Sequence, residues 1–200
     1  MRIGLDLRKS ADPAEREALA RKADSLGVWA VLVGGGPSGT EVSEAASIAI
    51  ATNNVHLAVW VDGSSEHPLT LAEEISILDH LSERRALPVI AAEPQIITRV
   101  QQFLDGYSHD GFHLVPPPAQ TIVPVWDASE VKVLELTGDL VKDRVTIDTE
   151  RDSGTTHLFV SWPGSIETMV RHLSTRALVN DFPQLVADLA DALPENNWSQ

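Results

Sequence analysis

Residues 28–50 read VWAVLVGGGPSGTEVSEAASIAI, and this stretch decides the fold. Val28 to Val33 is a short continuous apolar run, the pattern of a strand buried on both faces. A glycine loop, Gly34 to Gly39, follows at once. A helix capped near Thr40 then carries Val42, Ala45, Ala46, Ala49 and Ile50 on one side. A doubly buried strand that turns quickly into such a helix is one βα unit of a parallel sheet.

The same unit recurs on either side. Upstream, Arg2 to Leu7 reads as a strand. Asp12, Pro13 and Glu15 mark a helix start, and Ala18, Leu19, Ala23 and Leu26 continue it to a stop at Gly27. Downstream, Val55 to Val61 is a strand and Pro68 opens a helix with Leu71, Ala72, Ile75 and Leu78 facing inward. Leu87 to Ala92 is a fourth strand and Pro94 to Leu104 a fourth helix. Four βα units with right-handed crossovers leave two outcomes, a barrel or a doubly wound sheet.

The second half is less regular. Tyr107 to Gln120 reads as a loop and Thr121 to Trp126 as a fifth strand. Asp127 to Gly154 fits a helix then a strand, or a hairpin. Thr156 to Ser161 is a strand, and helices are expected over Gly164 to Val179 and Phe182 to Leu193. No stretch is rich enough in Gly, Ser or Pro to divide two domains, so residues 1–200 read as one.

Composition narrows the function. The net charge of −14, from 15 Lys+Arg against 29 Asp+Glu, opposes binding to nucleic acid or anionic membranes. Cysteine is absent, which excludes disulfides, thiolate metal sites and a cysteine nucleophile. Met1-Arg2-Ile3-Gly4 is too quickly polar for a signal peptide, so a cytoplasmic protein is expected. His109 and His113 are four apart but flank Gly111 in a loop, so no metal site is expected there.

Gly34, Gly36 and Gly39 match the G-x-G-x-x-G spacing, after a strand and before a helix. Glycines there let a backbone approach a pyrophosphate at a helix N-terminus, and Asp62 ends the next strand, where an acid would hold a ribose hydroxyl. The same residues suit a plain tight βα loop. A full βα unit precedes the motif, which is unlike the usual dinucleotide fold. Arg84 and Arg85 suit either a cofactor phosphate or the capping of helix carbonyls, and His67 suits a shaped helix start.

Four segments together resemble the luciferase-like monooxygenases. Residues 20–28, ARKADSLGV, are similar to that family's first helix and turn, and residues 51–58, ATNNVHLA, to its approach to the third strand. Residues 67–74, HPLTLAEE, with Leu78-Asp79-His80-Leu81-Ser82 and Arg84-Arg85, resemble its third helix. Gly111-Phe112-His113-Leu114 and Pro116-Pro117-Pro118-Ala119-Gln120 before Val123-Pro124-Val125-Trp126 resemble the approach to its fifth strand.

The resemblance implies an α/β fold, a (β/α)8 barrel of TIM type, here shortened or incomplete because 200 residues fall below the usual ~250. It implies a cofactor, FMN or F420, at the C-terminal mouth of the barrel. A non-proline cis peptide would support the ring, and by position it would be Trp60–Val61. Cofactor contacts are then expected from Asp6, Trp60, Val61 and Trp126, with Gly34, Gly36 and Gly39 as the loop. Trp60, Trp126 and Trp162 would all crowd the mouth, either as an aromatic pocket or as bulky plugs of a vacant site that replace lost elements of the core. Glu93, after the fourth strand, is the candidate general acid or proton relay, or else an acidic helix cap. A homodimer through the second and third helices is implied, using Ala45-Ala46-Ala49 and Ile75-Leu78 unless these are buried on the sheet.

This sequence departs from the family pattern in having Gly34-Gly35-Gly36-Pro37 after strand two, Trp60 for a small residue, and Ala91-Ala92-Glu93 in place of a glycine-rich turn. The leading reading is a flavin- or F420-dependent oxidoreductase or monooxygenase acting on a small organic substrate. The alternative is a non-catalytic relative that binds flavin or supports a full-length luciferase-like partner. A third reading is a Rossmann-type dinucleotide-binding protein acting through Gly34 to Gly39.

Overall fold

The computed structural model describes residues 1–10, 12–35 and 39–173. The elements run β1 (Arg2–Asp6), α1 (Pro13–Ser25), β2 (Ala30–Gly34), α2 (Glu41–Ala51), β3 (His56–Asp62), α3 (Pro68–Leu81), β4 (Ala86–Ala91) and α4 (Pro94–Leu104). After a long loop come β5 (Trp126–Asp127), a 3-10 turn (Ala128–Glu130), β6 (Lys132–Glu135), α5 (Leu140–Asp152), β7 (His157–Ser161) and a helical run over 166–173. The expected helix over 182–193 lies outside the described residues. Among the described residues no helix is long and apolar enough to cross a membrane.

Among the described residues the seven strands are all parallel, in the order β5-β4-β3-β2-β1-β7-β6. This is the cyclic order of a barrel with one seam open, between β5 and β6. The sheet is a curled half-barrel, an incomplete TIM-type α/β fold. The seam has a chain-length cause. Parallel neighbours need a crossover of about ten residues or more, and only residues 128–131 separate β5 from β6.

The sheet has two faces. Leu57, Val59 and Val61 of β3 join Val31 and Val33 of β2 beneath the helices, in the larger apolar cluster. Ala30, Leu32, Ala58, Leu87, Val89 and Phe159 form the smaller cluster on the inner face, with Trp60, Trp126 and Val133 against it. Ala45, Ala49, Ile75 and Leu78 are buried in the larger cluster, so these side chains serve helix-on-sheet packing. Gly4 is the inner-face residue opposite Phe159, where an added Cβ would lie 2.6 Å from that ring.

Asp12 and Pro13 start α1 as expected, with the Asp12 carboxylate accepting from the Ala14 amide at 3.0 Å. His67 is the N-cap of α3, its Nδ1 accepting from the Leu69 amide at 3.2 Å. Two expectations need correction. The fifth strand is two residues long, because most of residues 121–125 stay in loop conformation. The segment over 127–154 is a strand followed by a helix, the reverse of helix then strand, and no hairpin forms. Its apolar signal is weak, since Ile147 is the one buried apolar side chain of α5. The helix is fixed instead by Asp139, which accepts from the Val141 and Lys142 amides, and by buried Asp143, which accepts from Thr137 and Gly138.

Asp24 ties α1 to the loop before β3, accepting from the amides of Asn53, Asn54 and Val55 at 2.7–2.9 Å. Burial opposes the charge of this carboxylate, but the three amides outweigh it and hold its pKa below the ordinary value. A lowered folded pKa contributes stability above the ordinary pKa, and that contribution fades as pH falls through the folded one. Asp24→Ala is expected to lose about 2 kcal/mol at pH 7. In urea melts from pH 7 to 3, the gap to the parent protein should narrow below about pH 4. A gap that is constant with pH would refute this.

Candidate functional site

The C-terminal ends of the strands gather most of the expected residues. Asp6 closes β1 and is 7% exposed. Its carboxylate accepts from the backbone amide, Nε and Nη2 of Arg8 at 3.1, 2.9 and 3.1 Å, and from Ser161 Oγ of β7 at 3.5 Å. Two charge-assisted bonds in a fork hold that guanidinium in place. Its Cζ sits 4.5 Å from the ring centroid of Trp60, a cation–π distance. Asp6, Arg8 and Trp60 thus form one stack from β1 across to β3.

The glycine turn supports this stack. Gly34 has φ +90°, and a Cβ there would lie 2.3 Å from the Trp60 carbonyl oxygen. The Gly35 amide donates to that same oxygen at 3.0 Å. A Cβ on Gly35 would lie 3.6 Å from Arg8 Cδ and 3.8 Å from Trp60 Cδ1, so the missing side chain leaves a cradle beside the stack. Gly36 lies outside the described residues.

The Gly39 and Thr40 amides donate to Glu41 Oε2 at 2.8 and 3.0 Å. The chain's own carboxylate, 2% exposed, therefore sits at the start of α2, where a pyrophosphate would need to bind. Thr40 is the N-cap by position but makes no side-chain cap hydrogen bond. Asp62 is likewise occupied, accepting from the amide and hydroxyl of Ser64 at 3.0 and 2.6 Å, which hold its pKa below the ordinary value. The strand order runs in one direction from β1 to β5, without the early reversal of a dinucleotide-binding sheet. These observations favour the tight-loop reading over the Rossmann one.

The other sequence candidates do not all join this stack. Val61 points away from the mouth into the sheet–helix layer, because its strand neighbour Trp60 faces inward. The Trp60–Val61 bond is trans, contrary to the family expectation. Among the described residues the cis bond is Val115–Pro116. Trp60 and Val61 both sit in an unbroken ladder between β2 and β4, which requires regular extended backbone. The Trp126 ring packs on Trp29, His157 and Phe159, beside the residues that precede β2 and open β7. It lies toward the N-terminal ends of these strands and not with Trp60. Trp162 does lie at the mouth, its Nε1 donating to Thr168 Oγ1 at 3.1 Å. Glu93 is the exposed N-cap of α4 and makes no side-chain cap bond.

Sequence reasoning missed Arg8, whose role shows only when β1 and β3 are placed side by side. Arg85 proves to be structural, donating to the carbonyls of Ala49, Thr52, Val55 and Ser82 at the opposite end of the strands. A cavity of about 430 Å³ adjoins the stack, bounded by Asp6, Lys9, Ser161, Trp162 and Ile166.

The architecture and mouth are those of an incomplete TIM-type barrel with its candidate site at the strand C-termini. Solved structures of luciferase-like monooxygenases share this fold. Apo-MsnO8 is 14% identical with a TM-score of 0.59, over 91% of this chain and 98% of that one. The monooxygenase RslO1 from Streptomyces bottropensis is 16% identical with a TM-score of 0.51, over 78% of this chain and 59% of that one. The coenzyme F420 dependent tetrahydromethanopterin reductase from Methanopyrus kandleri is 13% identical with a TM-score of 0.50, over 80% and 65%. This chain therefore spans about three-fifths of RslO1 and just under two-thirds of the reductase. At these identities the likeness is one of fold. No protein-family profile and no curated protein matches the sequence.

Proposed function

We propose that this chain is an oxidoreductase of the luciferase-like class that binds FMN or F420 at the C-terminal mouth, with the flat ring against Trp60. The observation that carries this reading is the half-buried Trp60 indole, already bearing a stacked cation beside a side-chain-free glycine turn. Trp60 would hold the ring by the edge or face that Arg8 leaves uncovered, Arg8 by the outer side of its guanidinium, and Gly35 by leaving room. A reduced flavin or deazaflavin supplies hydride or electrons when bound. Asp6, which accepts from Ser161, fixes Arg8 and would so orient the ring. Proton transfer falls to Glu93, and the substrate is a small organic molecule.

Titration of the purified protein with FMN and with F420, read by tryptophan quenching, tests the binding. Micromolar affinity is expected for one of them, and Trp60→Ala should weaken it about tenfold. A folded protein that binds neither would sink the proposal. For Glu93→Gln, turnover should fall about 100-fold with cofactor affinity unchanged. Equal turnover would remove Glu93 from the reaction.

A second reading is binding without turnover, as in a supporting subunit. It is favoured by the pairing of other mouth groups within the chain: Asp6 with Arg8, Asp62 with Ser64, and Lys9 with Glu135. Cofactor binding without substrate oxidation across a panel of aldehydes, alkanes and alcohols would select it.

A further inference from the structure

On α4, Ile96, Arg99 and Phe103 follow one another at helical spacing and share one stripe. After α4 the chain doubles back. His109 and Phe112 exchange both backbone hydrogen bonds, at 3.0 and 2.8 Å, across Asp110 and Gly111. Those two residues have φ of +51° and +82°, which makes a tight two-residue turn of the kind an Asp-Gly pair favours. The His109 ring stands edge-on to Phe103, 5.2 Å between centroids, and so holds the turn against the helix.

A cavity of about 260 Å³ lies between this turn, α4 and the start of α3. Pro68, Ile96, Phe103 and Phe112 give it apolar walls, and Arg99 and Asp110 bring opposite charges to it. Phe112 is 59% exposed, so its ring is open to a ligand. Arg99 and Asp110 are exposed too. Among the described residues neither the guanidinium nor the carboxylate has a hydrogen-bond or ion-pair partner, and they do not pair with each other. His67, at the same cavity, already accepts from the Leu69 amide through Nδ1. A cation and an anion that line one small cavity without meeting suit a molecule that carries both charges. The volume lies just under the range of drug-sized pockets and suits about a dozen non-hydrogen atoms.

We propose that this cavity binds a free α-amino acid with an apolar side chain. Arg99 takes its carboxylate, because a guanidinium offers a fork of donors that matches two oxygens. Asp110 takes its ammonium. The side chain lies against Ile96, Phe103 and Phe112. Ile96 and Phe103 belong to the sheet–helix layer and Trp60 to the inner face, so the site is separate from the mouth and does not depend on the cofactor reading.

The probes are L-phenylalanine, 3-phenylpropionate, which lacks the ammonium, and 2-phenylethylamine, which lacks the carboxylate. Binding is followed by ligand-observed NMR at pH 7.5 and low salt. Phenylalanine is expected to bind with a Kd on the order of 1 mM. Each analogue should bind about fivefold more weakly, the scale of one exposed ion pair. Arg99→Gln should weaken phenylalanine and 3-phenylpropionate about fivefold and leave 2-phenylethylamine unchanged. Asp110→Asn should weaken phenylalanine and 2-phenylethylamine and leave 3-phenylpropionate unchanged. Both positions are exposed, and circular dichroism confirms the fold of each variant. Trp60→Ala should leave phenylalanine binding unchanged. Absence of phenylalanine binding, equal affinity for either analogue, unchanged phenylalanine binding in either charge variant, or its loss in Trp60→Ala would each overturn the proposal.

Discussion

Arg85→Ala is expected to destabilise the protein by about 4 kcal/mol, with Tm lower by roughly 10–15 °C. Arg85 is 7% exposed. Its guanidinium donates to Ser82 O at 2.6 Å, Val55 O at 2.8 Å, Ala49 O at 2.9 Å and Thr52 O at 3.0 Å, and to Thr52 Oγ1 at 3.0 Å. One side chain thereby satisfies the C-terminal carbonyls of α2, the loop before β3 and the turn before β4. Removing it leaves those carbonyls buried and unmatched, and each costs on the order of 1 kcal/mol. Lysine has one ammonium where arginine has a fork, so Arg85→Lys should recover less than half of the loss. Urea denaturation at pH 7 measures both variants. A loss below about 1 kcal/mol for Arg85→Ala would mean that water replaces the fork freely.

Gly34→Ala should cost about 3–5 kcal/mol, and two other glycines separate its causes. Gly27 has φ +72° and an added Cβ there meets nothing within 4 Å. Gly27→Ala therefore reports the left-handed backbone cost alone, about 1 kcal/mol. Gly35, at φ +70°, has its nearest atom 3.6 Å from an added Cβ, so Gly35→Ala should fall close to Gly27→Ala in stability. Gly34 adds a clash at 2.3 Å with the Trp60 carbonyl, which the β2–β3 ladder holds in place. The excess over Gly27→Ala is the cost of moving β2 from β3. Thermal melts of the three variants would show it, and three equal losses would refute it. The same comparison bears on the mouth, because Gly35→Ala fills the cradle beside Trp60 while sparing the ladder.

The first half of the chain was largely legible because its signals are local. Asp12 and Pro13 start α1 and Pro94 starts α4 at the residues expected, since capping and ring closure act within one turn. The run from Val31 to Val33 is fully buried, as continuous apolar character requires. In the second half the strand over 156–161 and the start of the helix after it were legible, but the segment over 127–154 was not. The helix Leu140–Asp152 has little apolar periodicity, and its order after β6 depends on Asp143 reaching back to Thr137 and Gly138. The site was half legible. Asp6, Gly34 and Trp60 meet at the mouth, but Val61 and Trp126 do not, because strand alternation and the seam turn them elsewhere.

By itself the sequence determined the alternation of strand and helix, the parallel sheet and the absence of thiol chemistry. Those follow from periodicity, capping and composition, which are properties of neighbouring residues. Only the tertiary structure decided that the barrel stays open between β5 and β6, that Arg8 lies on Trp60, and that Trp126 faces the far end. The last two depend on strands distant in the chain being brought side by side, and side-chain spacing along one segment carries no record of that meeting; the seam follows from the short connector between β5 and β6 once the strand bounds are known.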